Sequence, residues 1–368
     1  MFTPIYSAEN ERLMLSLDEI DRIMFRVERM LIMPKHEQWL RREASVRTAY
    51  SSTMIEDGTI PEHEMEDAVK ASPVADIPKE RAGVANYARA LEFVDFLSDA
   101  DMPLNEAIIR QIHWLLMSGV HDTQIKPGQY RTGPNWIEDQ GVIVYESPFH
   151  VSVPILMREF SEWLTGDEAM SPVLRAGIAH AHLVAIHPFV DGNGRTARLL
   201  ATLLLQSRGY GFRKLLSLDA YYQRNMDSFI GALRQTLGAS YTEGYDLTPW
   251  LELFVESLIV QARMLERRLT DWRMTVDKLR KGFAPYGLTE RQVDGLLHAA
   301  RNGFVTRKDY VHIAAVSPLT ATRDLAQLTH LGLLRPEGSG RNRRYVWAAG
   351  DTMSSTEETQ RTLHSPQP

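Results

Sequence analysis

Residues 187–198 read His-Pro-Phe-Val-Asp-Gly-Asn-Gly-Arg-Thr-Ala-Arg, and this stretch decides how the chain around it must fold. Apolar, helix-like runs flank it, Ala176–Ile186 before the stretch and Arg195–Gln206 after its turn. The Asp-Gly-Asn-Gly sequence predicts a tight turn between two helices, because these residue types tolerate turn backbone angles. A helix that starts directly after such a turn exposes unpaired N–H groups at its positive dipole end, which is a binding site for an anion.

Two glycines and two arginines indicate that this anion is a phosphate. Gly192 and Gly194 let the backbone approach a ligand closely, and successive N–H groups in such a turn can surround phosphate oxygens. Arg195 and Arg198 share one face of the new helix in its first turn. There they oppose the helix dipole, at about 0.3–1 kcal/mol each. A polyphosphate between them would remove this penalty, and the planar guanidinium fork suits phosphate.

A carboxylate and a base complete the pattern. One carboxylate beside phosphates and waters is a typical Mg²⁺ site, so Asp191 is the candidate metal ligand. His187 stands at the end of the preceding helix, which Pro188 stops, and histidine titrates near neutral pH. Together these residue types predict transfer of a phosphorus group from a nucleotide, with His187 as general base. The alternative is an ordinary turn between helices, in which each of these residues is structural.

The stretch resembles the signature of the Fic family, His-Pro-Phe-x-Asp/Glu-Gly-Asn-Gly-Arg-x-x-Arg, at every fixed position. The resemblance implies a mainly α fold, and transfer of AMP from ATP to a Ser, Thr or Tyr hydroxyl with release of pyrophosphate. It implies that His187 deprotonates the hydroxyl and that Asp191 holds Mg²⁺. The implied ATP-binding residues are Gly192, Asn193, Gly194, Arg195 and Arg198, with Arg198 nearest the γ-phosphate.

Other segments are similar to the family as well. Pro127–Arg131 resembles the segment that enters its flap, a β-hairpin that clamps the target protein as an added strand. The flap would lie near Val142–His150. Its expected target-docking strand consists of Val142, Ile143, Val144 and Tyr145, the best strand candidate in the chain. Asp246–Trp250 resembles the start of the family's closing helix, so the resemblance covers roughly residues 40–260.

Residues 52–57, Ser-Thr-Met-Ile-Glu-Asp, resemble the family's inhibitory motif, Ser/Thr-x-x-x-Glu-Gly/Asn, with a departure at the last position. They end a predicted helix at about 42–57. A carboxylate in the last turn, such as Glu56, is unfavourable by about 0.3–1 kcal/mol unless a cation lies nearby. The resemblance implies that this cation is Arg198, and that Ser52 and Glu56 inhibit the enzyme by blocking the γ-phosphate site. A merely solvated carboxylate is the alternative.

The composition and patterning predict five regions along the chain. We expect an N-terminal helical region over 1–110, a Fic core over 111–260, a linker helix over 261–285, a winged helix over 286–349 and a disordered tail over 350–368. The fold class is therefore mainly α: an all-helical core with a small β-hairpin flap, plus a C-terminal winged helix-turn-helix domain. The winged helix is predicted from three helices followed by two strands: Leu288–Ala300, Thr306–Ala315, Leu319–Leu331, Leu333–Arg335 and Arg344–Trp347.

The turn between the last two strands is basic, which makes DNA a candidate partner for residues 286–349. Arg341, Arg343 and Arg344 could contact phosphates, and the start of the preceding helix would present Thr320, Thr322 and Arg323 outward. That helix is poor in base-reading residues. A winged helix that binds protein, or that only packs on the core, is the alternative.

The charge and the cysteine content of the chain exclude several kinds of site and partner. The chain has 368 residues, a net charge of −6 and no cysteine, so it has no disulfides, no thiolate metal site and no overall attraction to nucleic acid. We expect a cytoplasmic protein without a signal peptide or a membrane span. His180 and His182 are interpreted as packing residues, because no carboxylate has matching metal-ligand spacing.

Competing functions remain at this stage. The first is a protein adenylyltransferase held in check by Glu56, whose partners are a hydroxyl-bearing protein, the chain itself or a second copy in a homodimer. The second is a DNA-binding regulator whose core senses a nucleotide, and the intact His187 argues against it. The same glutamate could also position water for AMP removal. A metal-dependent hydrolase built on His182, His187 and Asp191 has too few ligands.

Overall fold

The computed structural model describes residues 2–7, 10–56, 60–69, 79–100, 102–119, 125–139, 141–166, 170–340 and 343–348. This part of the chain is mainly helical with two small antiparallel sheets, which confirms the predicted mainly α class. The chain divides into two compact units, Met1–Glu266 and Arg267–Pro368. The predicted tail at 350–368, Asp57 at the end of the inhibitory motif and Arg341 in the basic turn lie outside the described residues.

The first unit contains the long core helices and the hairpin. Its helices are α1 Glu11–Glu28, α2 Pro34–Glu56, α3 Met65–Val69, α4 Lys79–Asp99, α5 Glu106–Met117, α6 Val153–Thr165, α7 Pro172–Ile186, α8 Asn193–Ser207, α9 Leu218–Arg224, α10 Met226–Leu237 and the first part of α11 Thr248–Phe283. Its strands are β1 Trp136–Asp139 and β2 Val142–Glu146. Residues 1–110 and the predicted core at 111–260 lie in the same compact unit.

The two helices that flank the 187–198 turn form the centre of this unit. α7 is buried from Val173 to Ile186, and it packs along α8. The start of α11 covers α7 at close range, since a β-carbon at Gly177 would lie 2.8 Å from Leu251. The indole N–H of Trp250 donates to the Gly177 carbonyl at 2.7 Å. A helix buried on all sides holds its last residue, and the turn that follows, in a fixed position.

The inhibitory helix is longer than predicted. α2 begins at Pro34, whereas the sequence placed its start near residue 42, and it ends at Glu56 within the described residues. Its first turns are polar and show little apolar periodicity, so tertiary contacts define them. Glu37 in the first turn accepts a hydrogen bond from Arg213, which follows α8. Proline at the first position and glutamate in the first turn are nevertheless signals of a helix start.

The predicted linker helix at 261–285 is the C-terminal part of a longer helix. α11 runs from Thr248 to Phe283 without a break, and the boundary between the two units falls inside it. The buried row of the first unit continues past the expected boundary through Ala262 and Leu265. Because no glycine or proline interrupts residues 250–281, nothing in the sequence ends the helix at 260.

The second unit contains three helices and a three-stranded antiparallel sheet after the end of α11. These are α12 Glu290–Asn302, β3 Phe304–Thr306, α13 Arg307–Ala314, α14 Pro318–His330, β4 Leu334–Glu337 and β5 Arg344–Trp347, with the sheet order β3-β5-β4. Strand β3 was not predicted, because three residues are too short to show a period. Buried Asp324 accepts from Tyr310 Oη at 2.9 Å and from Arg291 Nε at 2.6 Å, joining the three helices.

No helix in the described ranges combines the length and the apolar character needed to cross a membrane.

Candidate active site

The turn after α7 contains two left-handed backbone positions. His187 ends the helix at φ 49° and ψ 57°, an unusual conformation for a residue with a side chain. Gly192 has φ 77°, and a β-carbon there would also lie 2.8 Å from Met117 Sδ. Buried Asn193 closes the turn, since its side chain donates to the Phe189 carbonyl and accepts from the Phe189 N–H, both at 2.9 Å. The Asn193 side chain is therefore occupied, and only its backbone is available to an anion.

His187 is held as a neutral base. Its Nδ1 lies 3.1 Å from the Val184 carbonyl oxygen, which only accepts hydrogen bonds, so Nδ1 carries the proton and Nε2 keeps its lone pair. Burial lowers the pKa of His187 to about 4, and the Arg131 guanidinium acts in the same direction. The ring is therefore neutral at physiological pH and able to accept a proton from a hydroxyl.

Arg131 supports the backbone of the base. This buried guanidinium donates to the main-chain oxygens of His187 at 2.8 Å, Gly133 at 2.9 Å and Pro148 at 2.5 Å. Its own N–H donates to the Pro188 carbonyl at 2.9 Å. The sequence marked Arg131 only as part of the segment that enters the flap. Only the tertiary structure shows that Arg131 links that segment to His187.

His113 supports the other side of the turn and was missed by the sequence analysis. Its Nε2 lies 3.0 Å from the Asp191 carbonyl oxygen, and its Nδ1 accepts from the Gly128 N–H at 2.9 Å. The ring stacks on Phe189 with centroids 3.7 Å apart. Burial lowers the pKa of His113 to about 4, which keeps the ring neutral. A histidine on the buried face of the amphipathic α5 was the available signal in the sequence.

The carboxylate of Glu56 lies at the start of α8. Its Oε1 accepts from Arg198 Nη2 at 2.8 Å. A β-carbon on Gly194, the second residue of α8, would lie 2.6 Å from the same oxygen. The carboxylate thus occupies the position where the first turn of α8 and Arg198 would otherwise receive an anion.

Arg198 has further partners behind Glu56. The guanidinium donates from Nη2 to the Ser52 carbonyl at 3.0 Å and from Nε to Ser52 Oγ at 2.9 Å. Asp219 Oδ1 lies 2.9 Å from the same Nε. Both Arg198 and Asp219 are buried. Nothing in the sequence around Asp219 distinguished it from a first-turn helix residue, so this partner was missed.

Arg195 lies beside Asp191, with Nη2 3.4 Å from Asp191 Oδ1. Arg195 is only 8% exposed, and its Nε has no hydrogen-bond partner among the described residues. A buried donor without a partner costs about 1–3 kcal/mol. The described residues contain no cluster of three or more potential metal ligands, so Asp191 is a single partly exposed carboxylate.

The hairpin spans residues 136–146, whereas the sequence placed the flap near 142–150. β1 and β2 pair antiparallel with an irregularity between Ile137 and Glu138. In β2, the side chains of Val142 and Ile143 are exposed, whereas Tyr145 is buried and its Oη donates to the Ala185 carbonyl at 2.8 Å. Tyr145 therefore anchors the strand to α7, while Val142, Ile143 and Glu146 are exposed and Val144 is partly buried.

The remaining sequence candidates lie in the core. His180 stacks on Trp250 at 4.5 Å, and His182 Nδ1 lies 2.5 Å from Tyr245 Oη, so the structure places both histidines in packing roles. In α9, Tyr222 is buried against Phe229, while Tyr221 is partly exposed.

Residues 103–205 match the sequence model of the Fic/DOC family. Protein adenylyltransferase Fic of Drosophila virilis is 28% identical over 210 residues, which is 55% of this chain and 40% of that protein. The protein of the same name from Drosophila willistoni is 41% identical over 92 residues, 24% of this chain and 18% of that protein. The matched part of the chain thus spans less than half the length of these curated relatives.

Solved structures share the architecture. A Fic family protein from Desulfovibrio desulfuricans G20 superposes with a TM-score of 0.63 at 22% identity, covering 95% of this chain and 99% of that one. Fic-1 from C. elegans superposes with a TM-score of 0.54 at 21% identity, covering 72% of this chain and 73% of that one. At these identities the likeness concerns the fold, which is the mainly helical one that the sequence predicts.

Proposed function

Because residues 103–205 match the sequence model of the Fic/DOC family, we propose that this chain is a protein adenylyltransferase that Glu56 inhibits. It transfers AMP from ATP to a Ser, Thr or Tyr hydroxyl of a protein. The observation that carries the proposal is the 2.8 Å contact between Glu56 Oε1 and Arg198 Nη2, beside a neutral His187. The carboxylate fills an anion site next to a base that is ready to accept a proton.

The reaction is an in-line displacement at the α-phosphorus. His187 Nε2 takes the proton of the target hydroxyl while its oxygen forms a bond to phosphorus. The bond from phosphorus to the bridging oxygen breaks, and pyrophosphate leaves with the electron pair. Backbone N–H groups of Asn193 and Gly194 stabilise the charge that develops on the phosphoryl oxygens, since the Gly192 N–H already donates to Asp191 Oδ1. Arg195 and Arg198 hold the outer phosphates through their guanidinium N–H groups.

The residues present fit Mg²⁺ together with a polyphosphate. Asp191 is a partly exposed carboxylate within ion-pair distance of Arg195, and no second carboxylate is required when phosphates and waters complete the coordination. Mg²⁺ held there would neutralise part of the phosphate charge. Asp191 is oriented for this by the Gly192 N–H, which donates to its Oδ1 at 2.5 Å.

The inhibition follows from competition for Arg198. While Glu56 accepts from Nη2, the same donor cannot reach a terminal phosphate, and the two anions repel each other. ATP then binds without its γ-phosphate in place, so the α-phosphorus is not aligned with the target hydroxyl. Removing the Glu56 side chain leaves the anion site open.

The test is label transfer from α-³²P-ATP with Mg²⁺, using the parent chain, Glu56→Gly and Glu56→Gly with His187→Ala. Glu43→Gly is a matched control, because it places a glycine in the same helix away from Arg198. We expect label on protein in Glu56→Gly only, at least about tenfold above the parent. If Glu56→Gly binds ATP but transfers no label, the transferase proposal fails, and AMP removal or nucleotide sensing replaces it.

The labelled product also identifies the partner. Label on the chain itself indicates self-modification, and a rate per molecule that rises with protein concentration indicates that one copy of a homodimer modifies another. Label on an added protein indicates transfer to a target. Each outcome is read from the same gel.

DNA binding by the second unit is the second candidate. Thr322 and Arg323 are exposed near the start of α14, as a recognition helix requires. The positive charge beside the basic turn is partly compensated, because Glu337 accepts hydrogen bonds from Arg344 and from Arg335. A gel-shift titration of the parent and of the Arg323→Ala, Arg343→Ala double variant tests this candidate. Binding that is absent, or insensitive to salt, would remove it.

A further inference from the structure

Arg198 lies between two carboxylates that differ in exposure. The Asp219 side chain is 2% exposed and the Glu56 side chain is 28% exposed. One guanidinium facing two carboxylates leaves one negative charge in excess, so a single carboxylate suffices to compensate Arg198. The more exposed one, Glu56, loses less when it returns to water. Asp219 is therefore the partner that stays when the anion site opens.

The position of Asp219 is fixed by a second helix. Tyr87 of α4 is fully buried, and its Oη donates to Asp219 Oδ1 at 3.1 Å. Burial raises the pKa of Asp219, while the Arg198 guanidinium and the Tyr87 hydroxyl act in the opposite direction. The ion pair with Arg198 and the hydrogen bond from Tyr87 compensate the charge of this carboxylate inside the protein.

The contacts of the guanidinium are divided between its two sides. Asp219 Oδ1 lies 2.9 Å from Nε, whose N–H donates to Ser52 Oγ on the same side. Glu56 and the Ser52 carbonyl accept from Nη2 on the other side. Because the guanidinium is planar and rigid, an anchor at Nε determines the direction in which the Nη donors point. With Asp219 on the Nε side, the Nη donors are available either to Glu56 or to the terminal phosphate.

We infer that Asp219, oriented by Tyr87, is a positioning residue that holds Arg198 for the terminal phosphate of a nucleoside triphosphate. The inference rests on the proposed function, in which Arg198 receives that phosphate. Asp219 also makes the inhibition reversible: without it, the departure of Glu56 would leave a buried cation with no counterion. Asp219 acts through Arg198 and does not touch the substrate.

The test compares nucleotide affinities in the Glu56→Gly background. Titration calorimetry with ATP and with ADP is applied to Asp219→Asn and Tyr87→Phe. Tyr222→Phe is the matched control, because it removes another buried tyrosine hydroxyl of the same core, one bonded to Ser257. We expect Asp219→Asn to weaken ATP binding about tenfold and Tyr87→Phe about threefold, with ADP binding and Tyr222→Phe changed less than about twofold.

Only ATP carries the phosphate that Arg198 would hold, so a selective loss of ATP affinity distinguishes positioning from a general loss of structure. Equal losses for ATP and ADP, or no loss in Asp219→Asn, would overturn the inference. The ¹⁵Nε–H signal of Arg198 gives a readout without nucleotide. Because Ser52 Oγ also accepts from Nε, the signal should be retained in both variants, and it should shift more in Asp219→Asn than in Glu56→Gly. An unchanged signal in Asp219→Asn would also overturn the inference.

The failure of the transferase proposal looks different. In that case Glu56→Gly transfers no AMP, while the selective effect of Asp219→Asn on ATP affinity, or on the Arg198 signal, persists.

Discussion

Arg131 donates a hydrogen bond from Nε to the main-chain oxygen of His187 over 2.8 Å. The segment that enters the hairpin therefore holds the backbone of the base itself. Since His187 adopts a left-handed conformation, this support compensates for backbone strain of about 1–2 kcal/mol. The geometry of the base thus depends on a residue far from it in sequence.

Arg131→Lys should remove most of this support. A lysine reaches at most one or two of the three carbonyl oxygens that the guanidinium serves, and the others become buried acceptors without donors. We expect the free energy of unfolding to fall by about 2–4 kcal/mol. In the Glu56→Gly background, AMP transfer should fall further than ATP affinity does. Urea unfolding and initial rates measure the two effects, and an unchanged midpoint would refute the structural role.

Gly194→Ala separates the inhibitor from the anion site. The added methyl group would lie 2.6 Å from Glu56 Oε1 and 3.2 Å from Arg198 Nη1, so Glu56 must move. We nevertheless expect no activation, because the methyl group also occupies the space of the phosphate. In Glu56→Gly, the same change should reduce ATP affinity by about tenfold or more. Calorimetry checks this, and activation of the parent chain by Gly194→Ala would contradict it.

Glu56→Gln should release the enzyme only in part. The amide keeps the shape and one hydrogen bond to Arg198 but loses the negative charge, so the attraction between opposite charges is lost and Arg198 is held less strongly. Transfer should therefore rank Glu56→Gly above Glu56→Gln above the parent, with each step about threefold or more. Initial rates at fixed ATP test the order. Equal rates for Gln and Gly would mean that the charge alone inhibits.

His187 should titrate well below ordinary histidines. Burial lowers its pKa to about 4, so its ring takes up a proton only in acid. An NMR titration of the ring protons in the nucleotide-free protein, assigned with His187→Asn, should give a midpoint below about 5, against about 6.5 for an unperturbed histidine. A midpoint at or above the ordinary value would show that the ring is solvated or bound to an anion.

Acid should destabilise the protein through its neutral histidines. Burial lowers the pKa of His113 and of His187 to about 4 and that of His182 to about 3. Their folded-state pKa values lie below the unfolded value, so the unfolded chain binds protons first and stability falls as pH drops below about 6.5. We expect a loss of about 2–4 kcal/mol between pH 7.5 and 5.5. Urea unfolding at several pH values measures it, and His182→Phe should reduce the slope.

Much of the fold and of the site could be predicted from local sequence. Gly192 and Gly194 indicated a turn where backbone approaches a ligand, and the structure places both at the start of α8. The differences between the predicted and the observed helices and strands also have local causes. The polar first turns of α2 lack a period, β3 is too short to show one, and the charged surface of α11 concealed its continuity with the closing helix.

The sequence by itself determined the order of the chemical groups within residues 187–198: a base, a carboxylate, two glycines and two arginines. Only the tertiary structure decided which distant groups complete them. Glu56 and Asp219 reach Arg198 from two other helices, and Arg131 and His113 hold the turn from both sides. The physical reason is that a local pattern fixes backbone conformation over a few residues, whereas the compensation of a buried charge depends on which helices pack together.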